Sequence, residues 1–195
     1  MDKYFPLKLY IFSYETELIE FQSIMEAYNN QAIEQIKEEN IIEISKENEE
    51  LFIKDNIIIE QNSVETYLKL IISGIDEMNN IFDKSQSNIS KQCFNIATTE
   101  IKNKIIEFSK KTNIDQIDEI LPELYFINKI KIETEIESGL LFCEKCNRWF
   151  PIIETIPQML PDEYRDEEKE IQFLQTNKNL MDDEFFKQDL KPFNL

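Results

Sequence analysis

The chain has 195 residues, 42% of them hydrophobic, and 21 basic against 39 acidic side chains leave a formal net charge of −18. That length and apolar content suit one folded domain, or a small domain carrying an insertion, whereas the negative balance opposes direct contact with phosphate backbones or anionic lipid. Histidine is absent, which removes Ser-His and Cys-His chemistry; three cysteines, no secretory leader and no apolar run of the ~20 residues that cross a bilayer lead us to expect a soluble, cytoplasmic protein.

Leu7 to Phe12 alternates, with Leu7, Leu9 and Ile11 on one face and Lys8, Tyr10 and Phe12 on the other, as a strand does. From about Glu17 the period lengthens. Leu18, Phe21, Met25, Tyr28 and Ala32, with Ile24 and Ile36 beside them, fall on one helical stripe. The apolar runs Ile41 to Ile44, Leu51 to Ile53 and Ile57 to Ile59 read as a hairpin turning at Asp55-Asn56, with a helix as the alternative. Val64, Tyr67, Leu68, Ile71, Ile72, Ile75, Met78 and Phe82 keep helical spacing behind a capping Asn62 or Ser63. A polar break at Lys84 to Asn88 precedes a second helix with Ile89, Cys93, Ala97, Ile101, Ile105 and Phe108 inward, and Cys93 reads as a buried structural thiol. A short helix from Ile114 is expected to end before Pro122.

From Lys129 the period becomes two. Ile130, Ile132, Thr134 and Ile136 alternate with charged residues through Glu137, which predicts a half-buried strand leading to a turn at Ser138-Gly139. A short strand Leu140 to Phe142 then delivers Cys143 and Cys146 two residues apart, followed by Asn147, which tolerates a left-handed backbone. A return strand, Trp149 to Ile153, is expected to stop at Ile156-Pro157. Such a CxxC in a β-turn, with Glu144 inside it, lacks the helix terminus that activates redox thiols; it suits a zinc knuckle, and supplies two of the four donors of a closed site. A last helix, capped by Asp162 and acidic through Glu170, precedes a tail held by Phe193 and Leu195.

LFCEKCNRWFPIIETIPQMLPDEYR resembles the C-terminal half of the small zinc-ribbon methyltransferase activators, through Leu141, Cys143, Cys146, Arg148, Phe150, Pro151, Ile152, Ile156, Pro157, Met159, Leu160, Pro161, Asp162 and Glu163. Asp2, Lys3, Phe5, Pro6 and Leu7 resemble that family's first knuckle, without its leading Cys-Pro, so the natural protein is expected to begin upstream of Met1. The resemblance implies an α+β fold, with a zinc-ribbon-like antiparallel β platform from both chain ends (1–16 and 125–195) around a mainly helical insertion (17–124). It implies no catalysis by this chain, which would form a heterodimer with an S-adenosylmethionine-dependent methyltransferase acting on tRNA, rRNA or a release factor, and would activate and stabilise it. S-adenosylmethionine would belong to that partner. Zinc would sit on Cys143 and Cys146, completed by Asp2 or by a neighbouring chain. Phe5, Pro6, Leu7, Trp149, Phe150, Pro151, Ile152, Ile156, Met159 and Leu160 would meet the partner, unless the insertion packs on them instead. The competing reading is a zinc-ribbon module for nucleic acid or a transcription or translation assembly; the knuckle offers it only Lys145 and Arg148 as basic groups.

Overall fold

The computed structural model describes residues 7–48, 50–111 and 114–195, the side chains of Ile114 and Asp115 excepted. In chain order the elements are β1 (Lys8–Tyr14), α1 (Leu18–Asn29), α2 (Ile33–Glu39), β2 (Glu43–Glu47), β3 (Glu50–Lys54), β4 (Asn62–Ser63), α3 (Val64–Glu77) and β5 (Ile81–Asp83). They continue with α4 (Asn88–Ile96), α5 (Lys102–Ser109), α6 (Leu121–Glu133), β6 (Ile136–Cys143), β7 (Arg148–Ile153), β8 (Ile156–Pro157), α7 (Glu167–Thr176) and α8 (Asp183–Phe186). The chain is therefore α+β, with two sheets, and divides into two compact units.

The first unit takes residues 1–15, 80–87 and 135–195. Its sheet runs β5-β1-β6-β7-β8, with β5 parallel to β1 and the other pairs antiparallel. The Ser138-Gly139 step is not a turn. Gly139 lies within β6 opposite Ile11, where a Cβ would come 2.7 Å from the Tyr10 carbonyl oxygen, so β1 approaches too closely for any side chain. One face of this sheet carries Phe12, Leu140, Phe142 and Trp149, which share a core with Leu174, Met181, Phe185 and Leu190. The final helices thus cover the aromatic face. Phe185 meets Phe142 and Tyr10 edge-on at ring distances of 5.1 and 6.0 Å.

The tail is anchored by the sheet. Trp149 donates its backbone N–H to Lys191 (3.1 Å) and its indole N–H to Phe193 (3.1 Å), while Lys191 N–H reaches the Asn147 carbonyl (2.9 Å). Phe193 packs against the aromatic core as expected, but Leu195 is exposed.

The second unit, 16–79 and 88–134, is mainly helical. The stripe from Leu18 to Ile36 is two helices, because the chain turns through a left-handed Gln31 (φ 50°) between α1 and α2. The hairpin predicted near Asp55-Asn56 exists one step earlier, with β2 pairing β3 around Asn48 (φ 47°). Ile57 to Ile59 form no strand; Asp55 instead accepts the N–H groups of Ile57 and Ile58 and the Tyr67 hydroxyl (2.6 Å), making a buried local turn. Ser63 caps α3 through Thr66 N–H. That helix ends at Glu77, and Phe82 leaves it for β5.

Between α4 and α5 a π turn spans Ala97–Ile101. Thr98 and Thr99 donate to the carbonyls of Phe94 (2.9 Å) and Asn95 (2.6 Å), competing for acceptors of the helical ladder. The largest departure follows. The short helix from Ile114 does end before Pro122, at Ile120, but Pro122 also opens α6, at a position where the missing N–H costs no helical bond. The alternation from Lys129 lies in α6 up to Glu133, not in a strand. Leu121, Leu124, Tyr125, Phe126, Ile127 and Ile130 bury this helix nearly all round, and burial on every side erases the one-sided pattern that identifies an amphipathic helix.

Cys93 is fully buried, and burial pushes its thiol up from 9.0 to about 12. The folded chain keeps a proton that the unfolded chain releases, so this contribution to stability is complete below pH 9 and is lost as pH rises from 9 to about 12. We expect the stability of wild type to fall more steeply over that window than that of Cys93→Ala, by up to about 1.4 kcal/mol per pH unit. Parallel slopes in urea titrations at several pH values would contradict this.

Candidate functional site

β6 ends on Cys143, the turn Glu144 to Asn147 reverses the chain, and β7 returns from Arg148. Asn147 takes the left-handed conformation the knuckle requires (φ 56°). Both thiols are free, Cys143 half-buried and Cys146 exposed. Burial raises the Cys143 pKa, but hydrogen bonds from the Cys146 backbone and thiol and from the Lys145 N–H, with the Lys145 charge, outweigh it and hold the group below the ordinary thiol range. The donor set is that of half a tetrahedral zinc site. Among the described residues no group of three or more His, Cys, Asp or Glu is arranged to hold a metal.

Beyond β7 the chain turns at Glu154 (φ 49°) and Thr155 (φ 66°), two consecutive left-handed residues in a turn type that usually employs glycine. Ile156-Pro157, expected as a stop, comes back as a third strand of the knuckle: Ile153 faces Ile156 and Ile152 faces Pro157. Gln158 N–H extends the ladder to the Pro151 carbonyl (2.8 Å). β8 is the last strand of this sheet; on its outer side Pro157 has no N–H, and its carbonyl already accepts Met159 N–H (3.0 Å).

The expected partner-binding residues separate by burial. Trp149 and Ile152 are 0% and 4% exposed and Pro151 is also buried, so all three belong to the core of the chain. Phe150 and Leu7 are half-buried. Ile156, Met159 and Leu160 are 59%, 55% and 45% exposed. Phe5 and Pro6 lie outside the described residues. Ile153, which belongs to the surplus apolar run after the thiols but not to the expected contact residues, is 40% exposed, and Tyr164, which the sequence does not single out, is 72% exposed. Ile153 shares the parity of buried Trp149 and Pro151, so alternation along β7 would have placed it inside, and no local signal marks Tyr164.

Two arginines fix the segment that carries this strip. Arg148 grips Asp162 through two hydrogen bonds, Nε to Oδ1 at 3.2 Å and Nη2 to Oδ2, at an exposed position. Arg165 is buried: it forks onto Glu170, with Nε to Oε1 at 2.9 Å, and its guanidinium lies 5.1, 5.2 and 5.7 Å from the rings of Trp149, Phe150 and Phe193. A buried planar cation between aromatic faces, neutralised by one carboxylate, ties the knuckle, the tail and the start of α7 together. The site offers a fixed, exposed apolar edge and two thiols. Its described residues hold no catalytic constellation.

No protein-family model matches the chain, and no solved structure does. Over 66 residues, 34% of its length, the chain is 35% identical to the multifunctional methyltransferase subunit trm112 of Schizosaccharomyces pombe. It spans 51% of that relative, so the similarity to a methyltransferase subunit is partial.

Proposed function

We propose that this chain is a non-catalytic activating and stabilising subunit of an S-adenosylmethionine-dependent methyltransferase that modifies tRNA, rRNA or a release factor. The observation that carries the reading is the run of exposed apolar side chains at and after β8, Ile153, Ile156, Met159, Leu160 and Tyr164, in a chain partly similar to a methyltransferase subunit. An apolar face of the partner would cover this strip. A subunit that binds only the folded enzyme stabilises it by mass action, with no chemistry of its own. The net charge of −18 favours a basic, RNA-handling partner and speeds the encounter more than it deepens affinity. Co-expression with tagged methyltransferases from the same cell, followed by pull-down and thermal unfolding of the enzyme, tests this: a stoichiometric complex with a raised melting temperature is expected. Failure of every S-adenosylmethionine-dependent methyltransferase to co-purify would refute it.

The same reading assigns zinc to Cys143 and Cys146, with two further donors supplied from outside the described residues. Bound zinc would lock the knuckle and release the thiol protons. Metal analysis of the full chain is expected to give zinc that Cys146→Ser removes; equal zinc in both proteins would exclude these thiols as ligands.

A further inference from the structure

The second unit has a free edge of its own. Its sheet runs β2-β3-β4, and among the described residues no strand pairs with the outer side of β2. Ile44 stands opposite Ile53 on the inner face; Ile53 is fully buried, but Ile44 is 36% exposed. Beside it lies a groove of about 620 Å³ lined by Ile42, Ile44, Leu51, Ile117 and Leu121, with the Lys37–Asp118 ion pair (2.5 Å) at its rim. Asn40 and Glu43 add polar groups to the groove wall, while Ser45 and Glu47 alternate to the other face of the strand.

We propose that the outer edge of β2 accepts an extended segment of another protein, with arginine or lysine facing Glu43 and Glu47 and an apolar side chain facing Ile44 into the groove. Edge backbone groups supply strand pairing, and alternate side chains supply selectivity. A second copy of this chain is disfavoured in the central register. Antiparallel self-pairing centred on Ser45 sets Glu43 against Glu47 twice, between two chains of charge −18. The charges that reject a copy are complementary to a basic strand. Glu43 already meets Lys54 at 2.9 Å, so Glu47 contributes more of the selection. Lys46 shares the parity of Ile44 and calls for an acidic or polar residue opposite it.

Read antiparallel, these positions specify basic, acidic, polar, apolar, basic. The probe is therefore the labelled peptide Thr-Val-Arg-Glu-Thr-Ile-Arg-Val-Thr, with a charge-reversed version carrying Glu for Arg and Lys for Glu as control. With the full chain, anisotropy titration is expected to show binding of the first peptide and none of the second at equal concentration. Hydrogen exchange should slow within residues 42–47. Glu47→Lys, an exposed change that leaves the core intact, should weaken binding several-fold, as reversal of a cross-strand charge pair does. No binding up to millimolar peptide, equal binding of the reversed peptide, or protection confined to residues outside 42–47 would each overturn the proposal. So would a dimer in sedimentation that the peptide fails to displace. None of these outcomes depends on the methyltransferase reading, which concerns the strip beside β8, whereas the peptide and every readout here address β2.

Discussion

Ile156→Asp and Met159→Asp are each expected to weaken the complex with the methyltransferase by about 30- to 800-fold, the range of central interface residues that contribute ~2 to 4 kcal/mol. Both side chains are more than half exposed, so the isolated variants should unfold at the wild-type urea concentration. The combination of lost binding and kept stability is the informative result. Trp149, Pro151 and Ile152 are unsuitable for this test because they are buried, and Phe150 is unsuitable because Arg165 stacks on its ring; changing any of them alters the scaffold. If both aspartate variants pull down the enzyme with wild-type affinity, the partner does not use the strip beside β8.

Arg165→Met is expected to destabilise the first unit by about 3 to 5 kcal/mol, because it strands the charge of Glu170, which is only 7% exposed. The double change Arg165→Met with Glu170→Met should recover most of that loss, since apolar groups of similar volume often replace a buried pair at little cost. The comparison is internal to the protein: Arg148→Met breaks an exposed, solvent-screened pair with Asp162 and should cost far less. Trp149 is the only tryptophan and lies under the Arg165 guanidinium, so its fluorescence reports the site in the same urea titrations. Equal costs at Arg148 and Arg165, or a double variant worse than Arg165→Met alone, would show that the stack does not hold the unit together.

Much of the molecule could be read from the chain wherever a physical rule acts over a few residues. The β1 alternation, the Ser63 cap and α3, the burial of Cys93 and the left-handed Asn147 of the knuckle all follow from local periodicity or local backbone preference. The exposed Ile156, Met159 and Leu160 follow in part: the sequence shows a surplus of apolar residues after the thiols, but does not say which of them the chain covers. The same limit hid the buried role of Arg165, because an arginine in an acidic, polar segment looks solvated until rings from Trp149, Phe150 and Phe193 converge on it.

The errors share a cause. Lys129 to Glu133 alternates like a strand, yet it closes α6, whose burial on nearly every side removes the period of 3.6 from the sequence. Ser138-Gly139 has turn composition, but Gly139 is needed where β1 presses on β6. The sequence by itself determined an acidic, folded chain with helical and strand periods, the two thiols and the apolar run beside them. Only the tertiary structure decided that the final helices cover Trp149, that β8 folds back as an edge, and that β2 leaves a second edge free, because those outcomes depend on contacts between residues far apart in sequence.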